Sequence, residues 1–204
     1  MQSKFRNGGQ TCVCANRIMV QAGIHDAFVG ALAARVDALR VGPGTEDGTD
    51  IGPMINPAAI EKIRAHVADA LDRGAARATR TRDLAGQYAD PVVLSGATDE
   101  MRLASEETFG PVAPIFRFET EEEALALANG TPFGLAAYFY TRDMSRAFRF
   151  GEALEFGMVG LNTGLLSNEV SPFGGVKASG LGREGSQEGI EEYLETKAMH
   201  FGGL

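Results

Sequence analysis

Apolar residues recur at Phe28, Leu32, Val36 and Leu39, three or four positions apart, and predict a helix over residues 24–40 with that stripe facing a core. A second stripe, Ile60, Ile63, Val67 and Leu71, follows Asn56-Pro57 and ends near Gly74. Asn is a good N-cap and Pro a good first helical residue, so the start of this helix is well marked. Residues 42–56 between the two are turn-rich, punctuated by Gly42-Pro43-Gly44 and Gly52-Pro53. Shorter apolar runs at Ala15 to Gln21 and Val92 to Leu94 predict strands. Residues 80–91 are polar, with a stray Gly and Pro, and predict an exposed loop.

A rhythm follows. Apolar Val112 to Phe118, helical 121–129, apolar Leu135 to Tyr140, helical 143–154 and apolar Met158 to Leu161 alternate in order. Thr120 with Glu123 has the form of a capping box, and Asn129-Gly130 closes that helix. Strands and helices alternating at this spacing imply βαβ units, hence an α/β fold with a parallel-type sheet flanked by helices. Residues 163–184 form a long loop rich in Gly, Ser and Asn, a length usual for functional segments. A short helical pattern at 186–194 precedes a lone strand at Thr196 to Phe201, an edge without a predicted partner.

Composition narrows the class. The 204 residues suffice for one core-bearing domain, and 44% hydrophobic with 23% charged residues is ordinary for a globular protein. A net charge of −8 without a basic block argues against nucleic acid and anionic membranes as partners. No apolar run approaches the ~18 residues of a membrane span. Two cysteines do not make a disulfide framework, and the first residues lack a signal-peptide pattern, so a cytoplasmic location is expected. His25, His66 and His200 are scattered without ligand spacing, and no metal site is expected.

The chemistry concentrates near the amino end, in Phe5-Arg6-Asn7-Gly8-Gly9-Gln10-Thr11-Cys12-Val13-Cys14-Ala15-Asn16. A thiol attacks as thiolate, and a free cysteine with pKa near ~8.5 is mostly protonated at neutral pH. A nearby cation such as Arg6, and backbone N–H groups exposed by Gly8 and Gly9, are features that stabilise the anion. On spacing alone, the favoured reading of Cys12 and Cys14 is two small buried residues at a strand start.

Gly9-Gln10-Thr11-Cys12 followed by Ala15-Asn16-Arg17 resembles the active-site cysteine segment of the aldehyde dehydrogenase superfamily. Glu106-Glu107-Thr108-Phe109-Gly110-Pro111 and Pro172-Phe173-Gly174-Gly175-Val176-Lys177-Ala178-Ser179-Gly180 resemble two further motifs of that family, in the family's order. Lys4-Phe5-Arg6-Asn7 and Gly180-Leu181-Gly182-Arg183-Glu184-Gly185-Ser186 are similar to the succinate-semialdehyde dehydrogenase branch.

The resemblance implies a division into a catalytic domain, 1–194, and an oligomerisation arm, 195–204, of a homo-oligomer. It implies Cys12 as the nucleophile that captures a small aldehyde substrate, and NAD or NADP as the oxidant. Glu107 would hold the nicotinamide ribose hydroxyls, with Phe109 packing beside the ring. The bland reading of Glu106-Glu107 is a solvated helix end. Arg6 and Ser167 match positions that hold the substrate carboxylate; taken alone they are a loop cation and a loop hydroxyl. Cys14 matches a redox partner of the nucleophile in some relatives, with structural burial as the default. No G-x-G-x-x-G sits between a strand and a helix, so the cofactor domain and the general-base glutamate are expected upstream of Met1, in a missing N-terminal portion, and the piece alone is expected to be inactive. A cofactor-independent thiol acyl-transferase or esterase would need a histidine beside Cys12, and a non-catalytic interaction module would use only the terminal arm.

Overall fold

The computed structural model describes residues 1–203. A single turn of helix, α1 (Gln2–Phe5), leads through a tight 3-10 turn, Arg6–Gly9, to strand β1 (Ile18–Gln21) and helix α2 (His25–Asp37). Helix α3 (Pro57–Asp72) starts as its sequence predicts, with the Asn56 side chain accepting from the Ala59 N–H at 2.9 Å and Pro57 at the first turn. Strands β2 (Ala76–Arg77) and β3 (Val92–Ser95), short helix α4 (Arg102–Ser105) and strand β4 (Val112–Phe118) complete the first unit.

These strands form one sheet in the order β1-β4-β3-β2. β1 and β3 both run parallel to β4, in register Ile18↔Ile115 and Val92↔Val112, and β2 is an antiparallel edge. Val92, Val93, Leu94, Val112, Ala113 and Ile115 are all buried, so consecutive residues on both faces are covered. That is why these strands read as continuous apolar runs and not as alternating ones. Leu32 and Val36 from α2, and Ile60 and Ile63 from α3, join them in one core.

The helical stripes are shorter than their periodicity suggests. Phe28 and Leu71 lie at the ends of their stripes and are exposed, at 37% and 40%. The helices diverge from the core there, and burial stops one turn short.

The remaining elements form two smaller sheets. Helix α5 (Glu121–Asn129) is capped by Thr120, whose hydroxyl accepts from the Glu123 N–H at 3.3 Å; the Glu123 carboxylate takes the N–H of Glu119, one residue before the expected cap. Strand β5 (Phe133–Gly134) pairs antiparallel with β8 (Val176–Lys177). β6 (Ala136–Phe139), helix α6 (Met144–Ala153) and β7 (Met158–Leu161) form a parallel βαβ unit. The α/β class therefore holds, with the parallel strands divided between two sheets. Beyond α7 (Glu188–Glu191), residues 195–203 are exposed and adopt neither helix nor strand within the chain.

The stretch 80–91 is more firmly held than its polarity predicts. Arg80, Thr81, Asp83, Ala85 and Gly86 are exposed, and the other residues are part-buried or buried. Arg82 donates to the carbonyls of Val36 and Asp37, at 3.0 Å each, closing the end of α2, and pairs with Asp90 at 3.0 Å. Arg77 grips the same carboxylate from β2. Asp90 is thus the shared, largely buried anion of two arginines, and removing it strands both. Asp90→Asn is expected to cost roughly 2–4 kcal/mol, read as a lower urea midpoint at unchanged slope; a midpoint equal to that of the unaltered chain would refute this role.

Candidate active site

The cysteine segment is a chain of tight turns. Asn7, Gly8 and Gly9 have consecutive φ values of 51°, 63° and 78°, a left-handed run that explains an Asn followed by two glycines. Asn7 and Gln10 lock it reciprocally: Asn7 Nδ2 donates to the Gln10 carbonyl at 3.1 Å, and Gln10 Nε2 to the Asn7 carbonyl at 3.2 Å. Gln10 Oε1 also accepts from the Ile55 N–H at 2.9 Å, seating the turn on the 51–55 loop.

Cys12 sits at the corner of the next turn, closed by the Cys14 N–H donating to the Thr11 carbonyl at 2.8 Å. This bond does not use the N–H of Cys12. Its thiol is free and exposed, whereas Cys14 is free and buried, its Sγ 3.8 Å from the Arg6 carbonyl. The pair thus lies in a turn ahead of β1 and not at the strand start.

Two side chains that sequence reasoning missed belong to this turn, and one of them holds it. The Tyr138 hydroxyl, on β6, donates to the Val13 carbonyl at 2.8 Å, and burial pushes its pKa up to about 12, keeping it a donor. Its position 125 residues away in sequence gave no local signal. Lys4 is 2% exposed and its Nζ has no hydrogen-bond partner among the described residues. Burial brings its pKa down to about 8, with the neighbouring Cys14 and Glu107 opposing the fall.

Glu107 and Phe109 lie in the loop between α4 and β4, and both are exposed. The loop meets the cysteine segment directly. A Cβ on Gly9 would fall 2.2 Å from the Gly110 carbonyl oxygen, and the Thr108 N–H donates to Asn16 Oδ1 at 3.2 Å. Phe109, at φ 52°, turns its ring out of the core. Glu106 is no free helix end: Arg102 and then His66 hold its carboxyl down to about 2. An exposed acidic acceptor beside an exposed ring fits a ribose and a flat heterocycle, and these residues suit a dinucleotide.

The structure also places the residues expected to choose the substrate. Arg6 is half-buried, and among the described residues its guanidinium makes no hydrogen bond or ion pair. Its backbone carbonyl lies 3.8 Å from Cys14 Sγ, which ties it to the cysteine turn. Ser167 is exposed on the loop after β7, and no bond joins it to Arg6 or Cys12. That loop starts against α1, where a Cβ on Gly164 would lie 3.2 Å from Gln2 Cβ. The third motif packs elsewhere: Gly174 lies so close to Gly157 that a Cβ on the latter would be 2.1 Å from its carbonyl oxygen. No histidine bonds Cys12: His25 pairs with Asp26, and His66 with Glu106 and Thr108. Among the described residues no group of three His, Cys, Asp or Glu could hold a metal, and no helix is long and apolar enough to cross a membrane.

The model of the aldehyde dehydrogenase family matches residues 1–199. The chain belongs to that family. Glutarate-semialdehyde dehydrogenase of Pseudomonas putida is 57% identical over 197 residues, covering 97% of this chain and 41% of the relative. 3-Sulfolactaldehyde dehydrogenase of Pseudomonas putida is 54% identical, covering 100% and 42%. The crystal structure of succinate-semialdehyde dehydrogenase from Burkholderia pseudomallei superposes with a TM-score of 0.91 at 57% identity, covering 94% and 40%. The chain thus spans about two-fifths of the length of these relatives.

The buried amine of Lys4 has a measurable consequence. Its pKa falls on folding, so the charge penalty is complete below pH 8 and fades as pH rises from there through 10.5. Lys4→Met keeps the stem and removes the charge. At pH 7 it is expected to raise the unfolding free energy by up to roughly 3 kcal/mol, a gain that shrinks towards pH 10. Urea titrations at both pH values decide it; a loss of stability at pH 7 would contradict the account.

Proposed function

We propose that this chain is the catalytic portion, with a terminal assembly arm, of an NAD(P)-dependent dehydrogenase for short aldehydes that end in an anion, with succinate semialdehyde as the leading substrate. The observation that carries the reading is the exposed Cys12 thiol in one turn system with the unpaired, half-buried guanidinium of Arg6. The three relatives are named for aldehydes whose far end is a carboxylate or a sulfonate. A guanidinium fork suits either group.

Arg6 takes the anionic end and directs the aldehyde carbon to Cys12, with Ser167 as a second donor when its loop folds over. The Cys12 thiolate attacks that carbon, and the carbonyl π electrons move to oxygen, giving a thiohemiacetal. Its oxyanion is met by the Cys12 N–H, which the local turn leaves unused. Glu107 would accept from the two ribose hydroxyls of a nicotinamide cofactor, and Phe109 would flank its ring. A nicotinamide held there would supply the hydride acceptor needed to take the Cys12 adduct to the thioester. Water then cleaves the thioester to the acid and returns the thiol, with the base expected from upstream. The exposed segment 195–203, with Met199 and Phe201, serves as the arm that pairs with a second copy.

The test is NAD(P)H formation by the full-length polypeptide. Cys12→Ala is expected to lower kcat at least about a thousandfold. Arg6→Gln is expected to raise KM for succinate semialdehyde roughly tenfold to a hundredfold and to leave propionaldehyde, which lacks the anion, within about twofold. Turnover that survives Cys12→Ala overturns the chemistry; equal losses on both aldehydes overturn the role of Arg6.

A further inference from the structure

We propose that His66 is a positioning residue for the ribose clamp, its neutral imidazole bonding both sequence neighbours of Glu107 and so fixing where that carboxylate stands. This deepens the function proposed above and rests on it. His66 lies on α3 and is fully buried. Its Nδ1 is 3.0 Å from Thr108 Oγ1 and its Nε2 is 3.1 Å from Glu106 Oε2. Glu107 stands between these two contacts and is itself exposed.

The tautomer follows from the partners. Arg102 holds Glu106 by two bonds, of 3.0 and 2.9 Å, so Glu106 is an ionised, acceptor-only group. Nε2 therefore carries the proton and donates to it. Nδ1 is left as an acceptor for the Thr108 hydroxyl, which is buried with its residue at 3% exposure. Burial lowers the pKa of His66, and the charged groups around it are Glu106, Arg102 and Lys62. An imidazolium would add a cation beside two others and force the Thr108 hydroxyl to stop donating.

The same helix grips the loop once more. Asp69 Oδ2 accepts from the Arg102 N–H at 2.8 Å, and a Cβ on Gly110 would lie 2.5 Å from Ile63 Cδ1. Ile63, His66 and Asp69, three residues apart, thus form one ridge of α3 on which the 102–110 segment rests. Only His66 touches both flanks of the clamp residue.

The experiment compares His66→Phe, His66→Gln and Thr108→Val in the full-length enzyme. Phe removes both bonds, whereas Gln offers one donor and one acceptor on a side chain of similar reach. For His66→Phe the KM for NAD(P) is expected to rise about tenfold, with kcat and the aldehyde KM within about twofold at saturating cofactor. His66→Gln is expected to stay within about threefold of the parent, and Thr108→Val to raise the cofactor KM with unchanged kcat. A cofactor KM unmoved in active His66→Phe, or unmoved in Thr108→Val if the first variant does not fold, overturns the proposal. So does a common loss of kcat and both affinities. Imidazole ¹⁵N shifts of the chain itself give a readout without turnover: an Nε2–H tautomer at pH 7 is expected, and an Nδ1–H tautomer or an imidazolium refutes the arrangement. A parent enzyme with no NAD(P)-linked aldehyde oxidation would instead refute the function, while the ¹⁵N result still decides the hydrogen bonds.

Discussion

The cysteine turn and the loop that carries Glu107 touch backbone to backbone, and the geometry of the site depends on that contact. At Gly9 there is no room for a methyl group above the Gly110 carbonyl, and the backbone is left-handed as well. At Gly110 the conformation is permissive but Ile63 of α3 fills the space where a side chain would be. Turn, loop and helix are therefore stacked with nothing flexible between the first two. Side-chain rotamers do not enter the spacing between nucleophile segment and clamp loop. Positioning of this kind is set when the chain folds and costs no ordering when a ligand arrives.

A stack without side chains needs ties at its edges, and polar side chains supply them. Asn16 takes the Thr108 N–H from the β1 side, Gln10 takes the N–H of Ile55 from below, and Tyr138 takes the Val13 carbonyl from the second sheet. Each satisfies a backbone group that lies outside regular helix or strand. Lys4 is the exception, an amine carried under the turn without a partner. It and Arg6 put two cations on a segment that, in the proposed function, holds a thiolate and a developing oxyanion. A stability cost at Lys4 is consistent with a site arranged for charge and not for packing.

The elements were largely legible because each has a local cause. Asn56-Pro57 marks a helix start, Thr120 caps α5, and runs such as Val92 to Leu94 can only be covered strands. The partition of the strands among three sheets was not legible, since pairing is decided by partners far along the chain. Phe28 and Leu71 misled because periodicity reports which face is apolar, not how far the core extends. In the site, Cys12, Glu107 and Phe109 announce themselves through motif resemblance. His66, Lys4 and Tyr138 do not, because a lone His, Lys or Tyr acquires meaning only from burial and from partners 40 to 125 residues distant.

In the proposed function, reaction and selection are carried on parts of different stiffness. Cys12 and Glu107 belong to the backbone-packed stack anchored on α3. Ser167 belongs to an exposed loop whose fixed point is Gly164 against α1, three residues away. Arg6 lies between, one residue before the left-handed run, with its backbone carbonyl held by Cys14 and its guanidinium free. A change in the 164–171 loop can thus alter the reach available to an anionic end without moving the sulfur or the clamp. The converse does not hold. Any substitution that opens the Gly9–Gly110 contact shifts the Cys12 thiol, the Cys12 N–H and Arg6 together, because all three are on the same few residues of chain. The physical prediction embedded in this layout is that substrate range is tuned on the loop, while the chemistry tolerates no drift in the stack.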